Sequence, residues 1–289
     1  MLDSIAIVLV GTQHPGNIGS TARAMKTMGL TDLRLVAPEQ FPDIQAHAMA
    51  AGADDLMENA RLFDRLEDAV ADCRLALGCT ARRRGVPLPE YAPREAAALL
   101  LDSTDAGTVA LVFGRERNGL TNEELQRCQA AVHIPANPDY SSLNLSQAVQ
   151  VLCYELRVSA LARQAGGSDA PAASPQPSPL GAMLERRNAM ATQGQVEHFF
   201  GHLDQTLHDI DFHKGRSPDV VMQRLRRVFL RAAVDERELR VLHGILADAQ
   251  RMASLATQSG LHVPTAVRKR VEPPAGGSAE PDADAPVSP

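Results

Sequence analysis

Tryptophan is absent from the 289-residue chain and aromatic residues make up only 3 % of it, so no row of rings is available to stack the bases of a single strand. The four cysteines, Cys73, Cys79, Cys128 and Cys153, form no CxxC pair and have no histidine at finger spacing. That excludes an obvious zinc finger or disulfide framework and makes a reducing cytoplasm the simplest expectation. No uncharged apolar run reaches membrane-spanning length, and the acidic opening Met1-Leu-Asp-Ser lacks the basic segment and cleavage site of a signal peptide. A basic excess is missing too: the formal net charge is −6, which disfavours indiscriminate binding to phosphate backbones. Part of that charge sits in Val271 to Pro289, which contains Glu272, Glu280, Asp282 and Asp284 and no basic residue; this stretch reads as a disordered tail.

The standard nucleotide signatures also fail. Gly114-Arg-Glu-Arg-Asn-Gly119 is followed by Leu120 and Thr121 rather than the Lys and hydroxyl pair of a phosphate-binding loop, and Gly16 and Gly19 make only an incomplete dinucleotide fingerprint. His198 and His202, with Asp204, His208, Asp209, Asp211 and His213 nearby, invite a metal hypothesis. Without the acid of an HExxH pair the spacing is poorly specific, so ordinary helix roles and no metal are expected.

What is present is 44 % hydrophobic residues, enough for one large or two ordinary domains. Short apolar strands are predicted at Ile5 to Val10, Asp32 to Val36, Leu75 to Cys79, Val109 to Phe113 and Ala131 to Ile134. Helices are predicted between them at Ser20 to Met28, Ala46 to Ala51, Leu66 to Ala71, Pro93 to Leu101, Asn122 to Cys128 and Leu145 to about Arg163. Unalternated strands separated by helices favour an α/β fold with a mostly parallel sheet covered on both faces. Thr121-Asn-Glu-Glu124 reads as a capping box, and Ser20 as a cap or first-turn residue.

Residues 164–182 form a Pro/Ala/Ser-rich linker without apolar periodicity. Residues 183–262 contain no convincing strand and read as a small helical extension, followed by the acidic tail at 263–289. In the extension Ser217-Pro218-Asp219 opens a helix with Met222, Leu225, Val228, Phe229 and Ala232 on one face and Arg224, Arg227 and Arg231 on the other. Leu239, Leu242, Ile245 and Leu246 form the expected core stripe of the last helix.

Three loops at the ends of apolar runs carry the polar, glycine-rich sequence from which an α/β sheet builds its ligand site. They are Gly11 to Arg23, Gly114 to Thr121, and Ile134 to Ala148. Their motifs are Asn17-x-Gly19-x-x-x-Arg23, Phe113-Gly-Arg-Glu-x-x-Gly-Leu120, and Ile134-Pro135 followed by Ser142-Leu-Asn-Leu-Ser-x-Ala148. In order and context they resemble the three motifs of the SpoU branch of the SPOUT RNA methyltransferases, over roughly residues 1–163. Within that branch the likeness is greatest to tRNA cytidine/uridine 2'-O-methyltransferases acting at nucleotide 32.

The resemblance implies a trefoil-knotted domain covering residues 1–163, a homodimer, and S-adenosylmethionine held by Cys79, Thr80, Ala81, Gly114, Ile134, Ser141, Ser142 and Leu143. Gly114 is expected to let the ligand approach the backbone, and Ile134 and Leu143 to wall the adenine. Arg23 is the implied partner of the 2'-hydroxyl and an adjacent phosphate. Because an arginine is a poor base, positioning and charge stabilisation are its expected tasks. Asn17 would orient Arg23 or a phosphate, Glu116 would pair with Arg23 or Arg115, and Ser142 and Asn144 would serve the ribose and phosphate or simply cap a helix. Tyr140 would stack on a base or pack in its loop. Arg82, Arg83, Arg84 and the Arg224, Arg227, Arg231 stripe are candidate contacts to tRNA phosphates. The competing readings are a noncatalytic RNA-binding module of the same fold, a ribosomal RNA 2'-O-methyltransferase, and a small-molecule enzyme with a nucleotide pocket.

Overall fold

The strand β1 (Ile5–Val10) is buried at every position, as a strand covered on both faces of a sheet requires. It pairs in parallel with β2 (Asp32–Val36) on one side and β6 (Val109–Phe113) on the other. With β3 (Arg61–Phe63), β4 (Leu75–Cys79), β5 (Glu90–Tyr91) and β7 (Ala130–Val132) it forms a seven-stranded sheet in the order β3-β2-β1-β6-β4-β7-β5, every pair parallel. This computed structural model describes residues 1–81, 88–165, 190–214 and 217–259. Arg82, Arg83 and Arg84, most of the expected linker and the acidic tail lie outside the described residues.

Period-two alternation divides β1 between two cores. Ile5, Ile7 and Leu9 join the larger cluster with residues of α1 (Pro15–Met28), α2 (Ile44–Ala50), α3 (Asp54–Glu58), α5 (Pro93–Ser103) and α7 (Leu145–Gln164). Ala6, Val8 and Val10 join a smaller cluster with α4 (Leu66–Ala69) and α6 (Asn122–Leu125). In the motif Asn17-x-Gly19, a Cβ on Gly19 would lie 1.9 Å from the carbonyl oxygen of Ala46; only glycine lets α1 lie this close to α2.

Several sequence boundaries are corrected. Helix α1 begins at Pro15, with Pro at its first position and His14 as a cap that makes no side-chain bond, so Ser20 lies inside the helix and is not its cap. The last predicted strand stops at Val132, leaving Ile134 in the loop beyond it. The Thr121 box forms as expected: Thr121 Oγ1 accepts from Glu124 N at 3.1 Å and Glu124 Oε2 from Thr121 N at 2.7 Å.

One charged group is built into the sheet. Arg34 in β2 is 1 % exposed and donates to Asp32 at 2.8 Å, Asp72 at 3.0 Å and the Ala69 carbonyl at 2.6 Å. Burial opposes its charge, but the hydrogen bonds it donates to Asp32 and Asp72 outweigh that and raise the guanidinium above its ordinary range. Arg34→Ala should cost about 3 kcal/mol, at the low end for breaking a buried pair because Asp72 keeps access to water; chemical denaturation of both proteins measures it.

The helical extension comprises α8 (Gln193–Asp209), α9 (Pro218–Ala232) and α10 (Glu236–Gln258) around Phe199, Phe200, Leu203, Leu230 and Leu239. It is attached to the sheet domain by main-chain bonds, Gln193 N to Cys73 O at 2.9 Å and Gly194 N to Ala71 O at 3.0 Å. Glu197 adds ion pairs to Arg127 and Arg226. Val228 and Ile245, predicted for its core, are exposed instead. No helix among the described residues is long and apolar enough to cross a membrane.

Candidate active site

In a parallel sheet every strand delivers its following loop to one edge. At the carboxyl ends of β4, β6 and β7 those loops enclose a cavity of about 140 Å³. Its lining includes all eight residues expected to hold a cofactor: Cys79, Thr80, Ala81, Gly114, Ile134, Ser141, Ser142 and Leu143. Phe113, Asn118, Gly119, Leu145 and Ala148 also line it, although the motifs assign them no cofactor role. Leu145 and Ala148 are one helical step apart at the start of α7, a spacing that could have identified them.

The cavity offers a ligand both apolar wall and main-chain polarity. Ile134, Leu143, Leu145 and Ala148 provide the former. Among the described residues, the backbones of Ile134, Ser141, Ser142 and Leu143 make no hydrogen bond to protein, so their donors and acceptors are available to the edges of a nucleoside-like ligand. This lining fits a cofactor with an adenine face. Cys79 is no competing nucleophile, because burial pushes its thiol up to about 12.

Gly114 lines the cavity and has a second, steric task within its own loop. The loop after it folds back as a tight hairpin, with Arg115 and Gly119 exchanging main-chain bonds of 2.8 and 3.2 Å. A Cβ on Gly114 would therefore sit 2.1 Å from both Gly119 C and Leu120 N. The residue makes room for its own loop, and the loop walls the cavity.

Glu116 also departs from expectation, since it pairs with neither Arg23 nor Arg115. Its carboxylate accepts from Gln13 N at 3.0 Å, His14 N at 3.0 Å and Asn17 Nδ2 at 2.8 Å. It thereby caps the positive end of α1, which His14 leaves without a side-chain partner. Arg115 pairs with Glu124 at 2.9 Å. Burial works against the Glu116 charge, but the bonds from Asn17, His14 and Gln13 prevail and hold the carboxyl below its usual range.

Asn17 joins the three motifs. While Nδ2 donates to Glu116, Oδ1 accepts from Asn144 Nδ2 at 3.0 Å. Asn144 in turn caps α7 by accepting from Ser146 N at 2.9 Å, so its capping and bridging roles coexist. Replacing Glu116 by Gln puts an amide where three donors converge and should cost about 1–3 kcal/mol. A carboxyl depressed by folding stabilises the protein above its unfolded pKa of about 4.3, and this contribution fades as pH falls through the lower folded value. The stability gap between wild type and Glu116→Gln should therefore be full at neutral pH and close in acid, as urea titrations at several pH values would reveal.

Not every predicted residue reaches the cavity. Arg23 is exposed on α1 and makes no hydrogen bond or ion pair among the described residues. It shares a helical face with Gly16 and Ser20, which line an adjoining groove with Asn17 and Asn144. Tyr140 is 80 % exposed, so it is not packed in its loop, and it does not line the cavity. Arg224 and Arg231 are exposed, whereas Arg227 is half-buried and lines a crevice with Arg226 and Leu230; the expected stripe is not uniform.

A parallel sheet with a cavity at its carboxyl edge, walled by these three motifs, is an architecture shared with RNA methylases, and the chain belongs to the SpoU rRNA methylase family, whose model matches residues 4–154. Residues 194–258 match the C-terminal domain of the tRNA methyltransferase TrmJ. The chain is 48 % identical over 254 residues to the tRNA (cytidine/uridine/adenosine-2'-O-)-methyltransferase TrmJ of Pseudomonas aeruginosa (strain UCBPP-PA14), spanning 88 % of this chain and 96 % of that protein. It is 50 % identical over 250 residues to the tRNA (cytidine/uridine-2'-O-)-methyltransferase TrmJ of Salmonella choleraesuis (strain SC-B67), spanning 86 % and 98 %. The crystal structure of TrmJ from Z. mobilis ZM4 superposes with a TM-score of 0.71 at 33 % identity, covering 84 % of this chain and 97 % of that one.

Proposed function

We propose that this chain methylates the ribose 2'-oxygen of tRNA, at a cytidine or uridine in position 32 of the anticodon loop, using S-adenosylmethionine. The observation that carries the reading is that the eight residues expected to hold the cofactor line one cavity, tied through Glu116, Asn17 and Asn144 to the helix that bears Arg23. S-adenosylmethionine supplies a methyl group activated by a sulfonium centre. The protein must bring the ribose oxygen into line with it, hold the neighbouring phosphate and allow the hydroxyl proton to leave.

The cavity walls Ile134 and Leu143 suit the adenine, and the free backbone groups of Ile134, Ser141, Ser142 and Leu143 suit its polar edges. The guanidinium of Arg23, unengaged by the described protein, is available to a phosphate and to the charge that develops on the 2'-oxygen; the proton itself passes to solvent. Ser142, exposed and lining the cavity, would bond the ribose.

Because Arg23 lies outside the cavity of its own chain, the site is best completed across a homodimer. Tyr154, Val158 and Leu161 support that arrangement as an exposed apolar row on α7. The trefoil knot belongs to the same proposal, as do tRNA contacts from Arg224 and Arg231 and from Arg82, Arg83 and Arg84. Relatives named for tRNA ribose methylation along nearly their whole length favour tRNA over ribosomal RNA.

Labelled S-adenosylmethionine, incubated with the full chain and either unmodified tRNA or ribosomal RNA, separates the alternatives. Label in tRNA alone is expected. Label in ribosomal RNA alone, or binding of tRNA with no transfer, would overturn the proposal, and full activity of a monomer would remove its dimeric part.

A further inference from the structure

The helical extension carries a cluster of side chains that methyl transfer does not use. Helix α8 ends in a reversal in which Asp211 N donates to His208 O at 3.0 Å and Phe212 N to Leu207 O at 2.9 Å. Asp211 takes the left-handed conformation, with φ of 52°, at the position where such helix ends turn the chain back. The reversal folds His213 over the last turn, with its ring 4.7 Å from that of His208. Asp204 lies one turn before His208 on the same face.

We propose that Asp204, His208 and His213 form a site for one divalent transition metal of the zinc type. One ligand atom from each side chain lies within 4.8 Å of the other two. The independent sign of a ligand is His213 itself. It is only 8 % exposed, yet among the described residues neither ring nitrogen has a hydrogen-bond partner. A buried imidazole without partners carries an uncompensated desolvation cost, and coordination through a ring nitrogen removes it. His208 is already held by its helix: Nδ1 lies 2.8 Å from the Asp204 carbonyl oxygen, and in the tautomer that donates there Nε2 keeps a free lone pair. Metal-bound histidines characteristically donate their other nitrogen in this way.

Two imidazoles and one carboxylate suit zinc and its neighbours rather than the oxygen-seeking calcium or magnesium. Water would complete the coordination. With zinc bonds of about 2.1 Å, binding must draw the three groups together by on the order of 1 Å, a movement open to Asp204 and His208 because both are partly exposed. The other histidine group does not meet the same standard, since His202 already contacts His243 at 2.7 Å and Gln250 at 3.1 Å. The bound metal would clip the segment after α8 onto the helix, and the site is independent of the methyl-transfer reading.

Metal-free full chain, titrated with zinc by calorimetry and with cobalt(II) by absorption, provides the test. The proposal predicts one equivalent bound and a cobalt spectrum without a thiolate charge-transfer band. His213→Phe and Asp204→Asn should each weaken binding at least 10-fold, while His243→Gln should not. Asp204 is partly exposed, so its variant remains informative if His213→Phe folds poorly. Absence of stoichiometric binding, a thiolate band, binding by Asp204→Asn equal to wild type, or loss confined to His243→Gln would overturn the proposal.

Discussion

Alanine at position 23 is expected to cut methyl transfer to tRNA by roughly 100-fold or more, the scale on which a donor to transition-state charge acts, while leaving the fold unchanged. The structural basis is the isolation of the side chain. Arg23 is exposed on α1 and makes no hydrogen bond or ion pair among the described residues, so its removal breaks no polar bond and should stay within about 0.5 kcal/mol of wild-type stability. Arg23→Lys keeps the charge but loses the planar fork, and should recover only part of the rate. Single-turnover transfer measured beside thermal denaturation distinguishes the outcomes. A large loss of stability in Arg23→Ala would show a structural role, and a normal rate would remove the residue from the reaction.

The second large effect is expected at Gly114. Its absent side chain faces the backbone of Gly119 and Leu120 at 2.1 Å, and main chain cannot rotate aside as a side-chain tip can. Gly114→Ala must open the hairpin that Arg115 and Gly119 close. The expected cost is about 3 kcal/mol, the upper range for overpacking, with S-adenosylmethionine affinity reduced at least 10-fold because Gly114 to Gly119 wall the cavity. Calorimetric binding and denaturation of the variant read both effects. Unchanged affinity in a folded Gly114→Ala protein would show that the loop does not shape the cofactor site.

These two residues mark how far the sequence could be read. Both stand in recognisable motifs, but the geometry adds to Gly114, which lines the cavity, a steric task inside its own loop that the motif does not announce. Glu116 was harder to interpret because its partners come from the start of α1, 99 positions from it in the case of Asn17; a carboxylate that caps a distant helix leaves no local pattern. The same distance explains the misplaced start of α1, since His-Pro-Gly reads as a turn until Glu116 supplies the missing cap.

In the sheet, β1, β4 and β6 were legible because burial on both faces demands continuous apolar runs. The edge strands β3 and β5 have three and two residues, and neighbouring strands rather than their own composition define them. In the extension, amphipathic spacing locates α9 and α10 but does not decide which edge of the apolar stripe meets the core, and Val228 and Ile245 lie on the exposed edge. The pairing of His213 with His208 depends on a left-handed turn at Asp211, which no spacing rule announces.

The most direct measurement of the central claim is the chemical position of the transferred methyl. The 289-residue chain, unmodified tRNA transcript and methyl-labelled S-adenosylmethionine should yield label on a ribose at nucleotide 32, seen as an alkali-resistant linkage on its 3' side. Label on a base, or an alkali-sensitive product, would contradict transfer to the 2'-oxygen.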